Sequence, residues 1–305
     1  MSSLIETTLF GTVDYVAEAI QEIQKMRRIV EWNHGKLCVR FSGGKDSIVL
    51  KRLCELAGVP YEARFSRTSV DPPELLQFIK KYHKDVIVDP SRTTMFNLII
   101  QKGFPPTRIC RYCCSEFKER NHCGKDDATT TGIRAAESKK RGKRRMIEAC
   151  LARKDTLLFH PILNWSDEQV WDFIELERLA YPCLYDEEFS RIGCVGCPLT
   201  SSKNMLREFA RWPQFEKAYM WAFERMLQGR SFNKWKSASD VMDWYIYGVK
   251  KRYEQIEGQL ELTMFEGDFY EDRFGESPHD YTHYNNDVKT ARYLLLDSTV
   301  EQRAS

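Results

Sequence analysis

After Cys197 the chain has no cysteine, although the residues up to and including it hold ten. Thiol chemistry is therefore confined to residues 38–197, and none is offered by residues 198–305. No uninterrupted apolar run approaches the ~20 residues needed to cross a bilayer. The first ten residues lack the basic start and apolar stretch of a secretory leader. Both absences point to a cytoplasmic protein with no membrane partner. In that compartment thiols stay reduced, and cysteines serve as ligands, nucleophiles or core fillers rather than as disulfides. Charge of one sign is also missing: 46 Lys and Arg against 44 Asp and Glu leave +2. Overall charge thus gives no argument for a nucleic-acid partner, and only a local patch can supply one. There are no internal repeats and no low-complexity segments. What is present is 305 residues with 42% apolar content. That suffices for a core domain plus a smaller helical one.

Residues 12–33 place Val13, Val16, Ile20, Ile23, Met26, Ile29 and Val30 at helical spacing. Residues 36–41 read as a strand, residues 45–56 as a helix ended by Gly58, and residues 59–65 as the next strand. Asp71, Pro72 and Glu74 resemble a helix start, with Asp71 as cap and Pro72 in the first position. A strand at 85–88, a helix at 94–101 and another after Cys114 follow. Strands are expected at 128–133 and 157–162. Ser166 and Gln169 form a capping box for a helix over 166–177. The alternation predicts an α/β fold, a doubly wound parallel sheet with helices on both faces. Beyond Cys197, Phe209, Trp212, Phe215, Tyr219 and Phe223 recur at helical spacing with Trp221 off the stripe, which reads as core packing of a helical appendage. The expected division is an N-terminal helical segment (1–35), a nucleotide-binding α/β domain with a cysteine cluster (36–198) and a helical C-terminal region (199–305). Residues 256–305 carry no usable motif.

The most specific feature is Ser42-Gly43-Gly44-Lys45-Asp46-Ser47 between a strand and a helix. Gly43 and Gly44 let the backbone turn sharply and approach an anion. The helix start aims unpaired N–H groups and its positive dipole end at the turn. Lys45 adds a full charge, and Ser42 and Ser47 add hydroxyl donors. Asp46 is out of place in a pure anion site unless it orients the loop or helps hold Mg2+. The pattern is not the Walker loop, which requires G-x-x-x-x-G-K-[ST].

These six residues resemble the PP-loop of the ATP pyrophosphatase superfamily. Thr131-Gly132-Ile133-Arg134 with Glu137 and Ser138 narrows the resemblance to its phosphoadenosine-phosphosulfate (PAPS) reductase-like branch. So do Arg111-Tyr112-Cys113-Cys114 with Lys118, Gly193-Cys194-Val195-Gly196-Cys197-Pro198, Asp71-Pro72-Pro73-Glu74 and the Trp165–Trp171 stretch. The resemblance covers about residues 36–230. It implies ATP binding with cleavage at the α–β bond, nucleotide contacts from Ser42, Gly43, Gly44, Lys45, Asp46, Ser47, Gly132, Arg134 and Glu137, and catalytic roles for Lys45, Asp46 and Arg134. Arg134 at a strand end has the planar fork suited to phosphate or sulfate, with Glu137 holding that arginine or a metal.

Four thiolates, Cys113, Cys114, Cys194 and Cys197, form a soft donor set that suits zinc or an iron–sulfur cluster. Adjacent cysteines on a helix point about 100° apart, which suits the separate irons of a cubane better than one zinc. The resemblance implies a [4Fe–4S] cluster on these four residues. Cys110 with Cys113 is a second C-x-x-C pair, which keeps zinc open as an alternative. Cys38 and Cys54 read as core, while Cys110, Cys123 and Cys183 are candidates for a persulfide-carrying thiol. Lys139, Lys140, Arg141, Lys143, Arg144 and Arg145 form a basic run, either a solvated loop or a contact for a phosphate-rich acceptor. Arg108, Arg111 and Arg120 extend that field.

Reductases of this branch use a thiolate near the C-terminus as nucleophile, and residues 198–305 contain none. The expectation is therefore an ATP-dependent sulfurtransferase resembling DNA phosphorothioation enzymes, with DNA as an acceptor and a cysteine desulfurase as sulfur donor. The alternatives are an assimilatory adenylyl-sulfate or phosphoadenylyl-sulfate reductase and a non-catalytic nucleotide-sensing subunit.

Overall fold

The computed structural model describes residues 4–8, 11–119, 123–124, 126–150, 153–229 and 235–248, with two-residue strands at Gln255–Ile256 and Gln259–Leu260. Arg120 and nearly all of the 256–305 segment lie outside the described residues. The chain divides into two compact units: Met1–Ser91 with Ser115–Cys194, and Arg92–Cys114 with Val195–Ser305. Arg92–Cys114 thus belongs with the helical unit, a grouping that a linear division at residue 198 does not contain.

In the first unit, β1 (Ile5–Thr8) and β2 (Gly11–Asp14) pair antiparallel and lead into α1 (Tyr15–Trp32). Asp14 caps α1 by accepting from the N–H groups of Val16 and Ala17. The predicted stripe is buried at Val16, Ile23, Met26 and Val30, whereas Ile29 faces outward. There follow β3 (Leu37–Arg40), α2 (Lys45–Leu56), β4 (Tyr61–Ser66), α3 (Pro73–Tyr82) and β5 (Ile87–Asp89). Later come β6 (Ala128–Thr130), β7 (Ile147–Cys150), β8 (Arg153–Phe159) and α6 (Asp167–Leu176), numbered after the two intervening helices α4 (Met95–Lys102) and α5 (Tyr112–Phe117).

The six main strands lie in the order β5-β4-β3-β6-β8-β7. All neighbours run parallel except β7, which pairs antiparallel with β8. The parallel sheet was legible in the alternation of elements. The antiparallel edge was not, because β7 follows directly on the basic run and its residues alternate in exposure. Ser166 caps α6 in the expected box with Gln169. One core joins α1, α2, α3 and α6 to the sheet through Ile23, Leu37, Leu50, Leu53, Leu75, Phe159 and Phe173, all fully buried. Each such side chain contributes about 1.5–3 kcal/mol relative to exposure.

Two local expectations are corrected. Asp71 does not cap α3, which starts at Pro73 with Pro72 before it. Its buried carboxylate instead accepts from both N–H and Oγ1–H of Thr68, closing the preceding turn. Cys38 and Cys123 are joined as a disulfide, with Cα atoms 5.9 Å apart. The parallel pairing of β3 with β6 brings the two segments together, since Cys38 lies within β3 and Cys123 lies on the segment that leads into β6 at Ala128. Cys38 is buried as expected, but it is not a plain core thiol, and Cys123 is not a carrier thiol in this structure.

In the second unit α4 joins α7 (Ser202–Arg211), α8 (Pro213–Gln228) and α9 (Ala238–Tyr247). Phe209, Trp212, Phe215, Tyr219 and Phe223 are all buried, as the stripe required. Trp212 ends α7 and Pro213 opens α8, so the stripe runs through two helices rather than one. Among the described residues, no helix is long and apolar enough to cross a membrane.

Candidate functional site

The strand order reverses between β3 and β6: the chain builds outward from β3 through β4 to β5, then returns to the other side of β3. Open α/β sheets bind ligands at such a switch point, beyond the carboxyl ends of the strands. Two segments meet there, the Ser42–Ser47 loop after β3 and the Thr131–Arg134 stretch after β6. Gly43 adopts φ +74°, a conformation that favours glycine, and a Cβ on it would press on the Leu75 side chain at 2.5 Å. At Gly132 space alone demands glycine. A Cβ there would lie 2.8 Å from the carbonyl oxygen of Asp46, so the end of β6 rests on the loop backbone.

The loop's serines are engaged internally. Ser47 Oγ donates to the Gly44 carbonyl at 2.8 Å and accepts from the Ser42 amide at 3.2 Å, while Ser42 Oγ accepts from the Gly44 amide at 3.3 Å. They therefore shape the turn here, rather than standing ready as the donors expected of them.

Lys45 and Arg134, both buried, face the same two carboxylates. Arg134 Nε donates to Asp46 Oδ1 at 2.6 Å and Nη2 to Asp167 Oδ1 at 2.6 Å; Nη1 reaches the Trp165 carbonyl at 3.4 Å. Lys45 Nζ lies 2.6 Å from Asp167 Oδ1 and 3.3 Å from Asp46 Oδ1. Burial works to raise the Asp167 carboxyl, but the hydrogen bonds from Lys45 and Arg134 outweigh it and hold the group below the usual carboxylate range. The amide of Lys45 donates to Tyr185 Oη at 3.0 Å. Tyr185 packs edge-on against Trp171 at 5.1 Å, and burial raises its pKa, so it is a neutral phenol.

Glu137 does not hold the Arg134 guanidinium. Its carboxylate accepts from the Arg134 backbone amide and pairs with Arg141. Burial and then Arg191, Arg144 and Arg134 push the Arg141 guanidinium down, while Asp46 acts the other way. The basic run thus lies beside the loop: Arg141 and Arg144 are paired to Glu137 and Glu148, while Lys139, Lys140 and Lys143 are exposed. Behind Thr131, whose Oγ1 lies 2.7 Å from His160 Nδ1, the fully buried imidazole is kept neutral mainly by burial.

Of the cysteines, Cys113 and Cys114 lie on α5 itself, not before it. Cys194 belongs to the first unit and Cys197 to the second. Within the second unit the stretch after Cys194 is clamped. The Val195 carbonyl accepts from Tyr219 Oη at 3.1 Å and the Gly196 carbonyl from Tyr245 Oη at 2.7 Å, while the Gly196 amide donates to Glu208 Oε2 at 2.7 Å. Among the described residues, no group of three or more His, Cys, Asp or Glu is placed to hold a metal ion. The four-cysteine set therefore stands on the sequence pattern. Cys110 and Cys183 are exposed thiols, and Cys54 is a core thiol pushed by burial to about 12.

Asp167, Tyr185 and His160 were missed as site residues. Asp167 had a local signal, its place directly after the capping Ser166 and hence at a helix start. Tyr185 and His160 carry none, because only the fold brings them to the loop and to Thr131.

Residues 36–200 match the phosphoadenosine phosphosulfate reductase domain family. An uncharacterised protein of Methanocaldococcus jannaschii is 30% identical over 216 residues, 66% of this chain and 52% of that protein. The adenosine 5'-phosphosulfate reductase of Allochromatium vinosum is 25% identical over 200 residues, 65% of this chain and 68% of that one. The U34-tRNA thiolase of Methanococcus maripaludis, solved with its [4Fe–4S] cluster, aligns with a TM-score of 0.43 and 15% identity over 74% of this chain and 83% of that one. The chain spans about half the length, or less, of the first curated relatives it matches. The family match extends over more than half of the residues, and the chain belongs to the phosphoadenosine phosphosulfate reductase domain family, on a PP-loop fold.

Proposed function

We propose that this chain is an ATP pyrophosphatase that activates an oxygen of an acceptor for replacement by sulfur. One observation carries the reading: two buried cations, Lys45 and Arg134, converge on one oxygen position beside a glycine turn at the sheet's switch point. That arrangement suits an anion bearing several charges, and MgATP is the substrate assigned to it. The acceptor oxygen attacks the α-phosphorus, the α–β P–O bond breaks, and its electron pair leaves with pyrophosphate. A sulfur nucleophile then displaces AMP from the adenylated acceptor. Loop amides and Lys45 hold the phosphates, and Arg134 neutralises charge that grows on them in the transition state.

The exposed Lys139, Lys140 and Lys143 beside the loop support a phosphate-rich acceptor, and we assign DNA to that role with a cysteine desulfurase as sulfur source; its persulfide sulfur attacks, AMP leaves with the acceptor oxygen, and a thiol reductant cleaves the remaining S–S bond. A [4Fe–4S] cluster on Cys113, Cys114, Cys194 and Cys197, with zinc as the alternative, is proposed from the donor chemistry alone. These residues do not meet as a metal group among those described, so no step is routed through it. Iron and acid-labile sulfide analysis of anaerobically purified protein decides between the two.

The deciding experiment measures pyrophosphate release from MgATP with and without DNA. Release stimulated by DNA, lost in Lys45→Ala and Arg134→Ala, is expected. ATP binding without turnover points instead to a nucleotide-sensing subunit. The Allochromatium vinosum relative favours a second reading, sulfonate reduction, for which sulfite release from adenylyl sulfate is the test.

A further inference from the structure

The anion cradle is filled by the protein's own oxygens. Asp167 Oδ1 sits 2.6 Å from both Lys45 Nζ and Arg134 Nη2. Tyr185 Oη takes the first amide of α2, at Lys45, from 3.0 Å. A phosphate group seated on this loop would present its oxygens to these same three donors. We propose, taking the loop as a polyphosphate site, that Asp167 and Tyr185 are displaceable stand-ins for phosphate oxygens, and that Asp167 makes the loop selective for polyanions over small anions of low charge.

Three observations separate Asp167 from a fixed structural carboxylate. Its side chain is 57% exposed while those of Lys45 and Arg134 are 6% and 3% exposed, so it covers the two cations from the solvent side. A change of rotamer carries it into water, where its charge is readily solvated. Asp46, by contrast, is part of the loop, and its backbone is held against Gly132. Asp167, at the first residue of α6, and Tyr185, in the short helical turn Cys183–Tyr185, also both lie outside the loop they cap, so either can leave it without unfolding the turn.

Charge then sets selectivity. Lys45 and Arg134 are matched by Asp46 and Asp167, so the closed cradle has no net charge. Inorganic phosphate that displaces Asp167 replaces one anion with another of similar charge and gains little. Pyrophosphate or the tail of ATP brings several charges and extra oxygens for the amides, and displaces the carboxylate at a gain. Because Asp167 is held below the usual carboxylate range, the competitor is charged throughout the physiological pH span.

The test is calorimetric titration of inorganic phosphate, pyrophosphate and ATP into wild type, Asp167→Asn and Tyr185→Phe, each with magnesium and with EDTA. Asp167→Asn is expected to bind phosphate and pyrophosphate about tenfold tighter, the effect of turning the carboxylate that competes for Lys45 and Arg134 into a neutral, weaker acceptor. The preference for pyrophosphate over phosphate should narrow, and Tyr185→Phe should tighten binding by a smaller factor. Equal or weaker binding by Asp167→Asn, with ATP binding intact in wild type, overturns the stand-in role alone. An effect of Asp167→Asn seen only with magnesium also overturns it, by marking a metal-binding carboxylate. No binding of any polyphosphate by wild type or variants overturns the reading of the loop as well. Should Asp167→Asn not fold, Asp167→Ser is read in the same way.

Discussion

Adding one methyl group at Gly132 tests whether the end of β6 rests on the phosphate loop. The alanine Cβ would stand 2.8 Å from the carbonyl oxygen of Asp46, 2.9 Å from its carbonyl carbon and 3.1 Å from its Cβ. The first two are backbone atoms, which no side-chain rotation relieves, so loop and strand must part by about half an ångström to reach ordinary contact. Overpacking of that kind costs about 1–3 kcal/mol. In a unit of this size the melting temperature should fall by roughly 3–10 °C. The cradle is built on the displaced segment, so ATP affinity should fall as well. Gly142→Ala is the control, since its nearest neighbour, the Ala135 carbonyl oxygen, would lie 3.7 Å away in ordinary contact. Thermal unfolding followed by circular dichroism, with calorimetric ATP titration, gives both readings. If Gly132→Ala behaves like Gly142→Ala in both, the packing of β6 on the loop is refuted.

Two other outcomes follow from the same fold. Cys38→Ser removes a link between residues 85 apart in sequence, whose chain-entropy value is about 4–5 kcal/mol. Its urea midpoint should drop and become insensitive to reductant, whereas a wild type equally insensitive to reductant would show that the link is not formed. His83 rests against Phe41 and Phe78 with no hydrogen-bond partner on either ring nitrogen among the described residues, and burial lowers its pKa to about 4. The unfolded chain takes up that proton near pH 6.5. Stability is therefore lost as pH falls from about 6.5 towards 4, with His160 acting in the same direction. His83→Phe should flatten the fall between pH 7 and 5 in urea titrations, and an unchanged slope would refute the assignment.

The elements that proved legible were those whose signals are local. The loop, α2 and the capping box of α6 are each specified within a few residues, and the aromatic stripe needed only helical periodicity. What escaped was decided at a distance. Tyr185 and Asp167 meet Lys45 across 140 and 122 residues of sequence, and no pattern near either residue encodes that meeting. Asp71 shows the opposite failure, because a carboxylate beside two prolines fits a helix cap and a turn closure equally well. The turn won because Thr68 offers two donors to one buried acid. β7 was hidden because a four-residue edge strand, Ile147–Cys150, is too short for its alternation to stand out beside the basic run.

The clamp on Val195 and Gly196 has a thermodynamic consequence. Side chains from α7, α8 and α9 already satisfy two carbonyls and an amide between the paired cysteines, and Gly196 at φ +68° packs where a Cβ would strike Phe209 and Tyr219. The backbone entering Cys197 is thus ordered before any partner arrives. Whatever Cys197 binds meets a template set in advance, so its affinity is not diminished by the entropy of ordering that turn. Removing the partner should leave hydrogen–deuterium exchange at the Gly196 amide as slow as before.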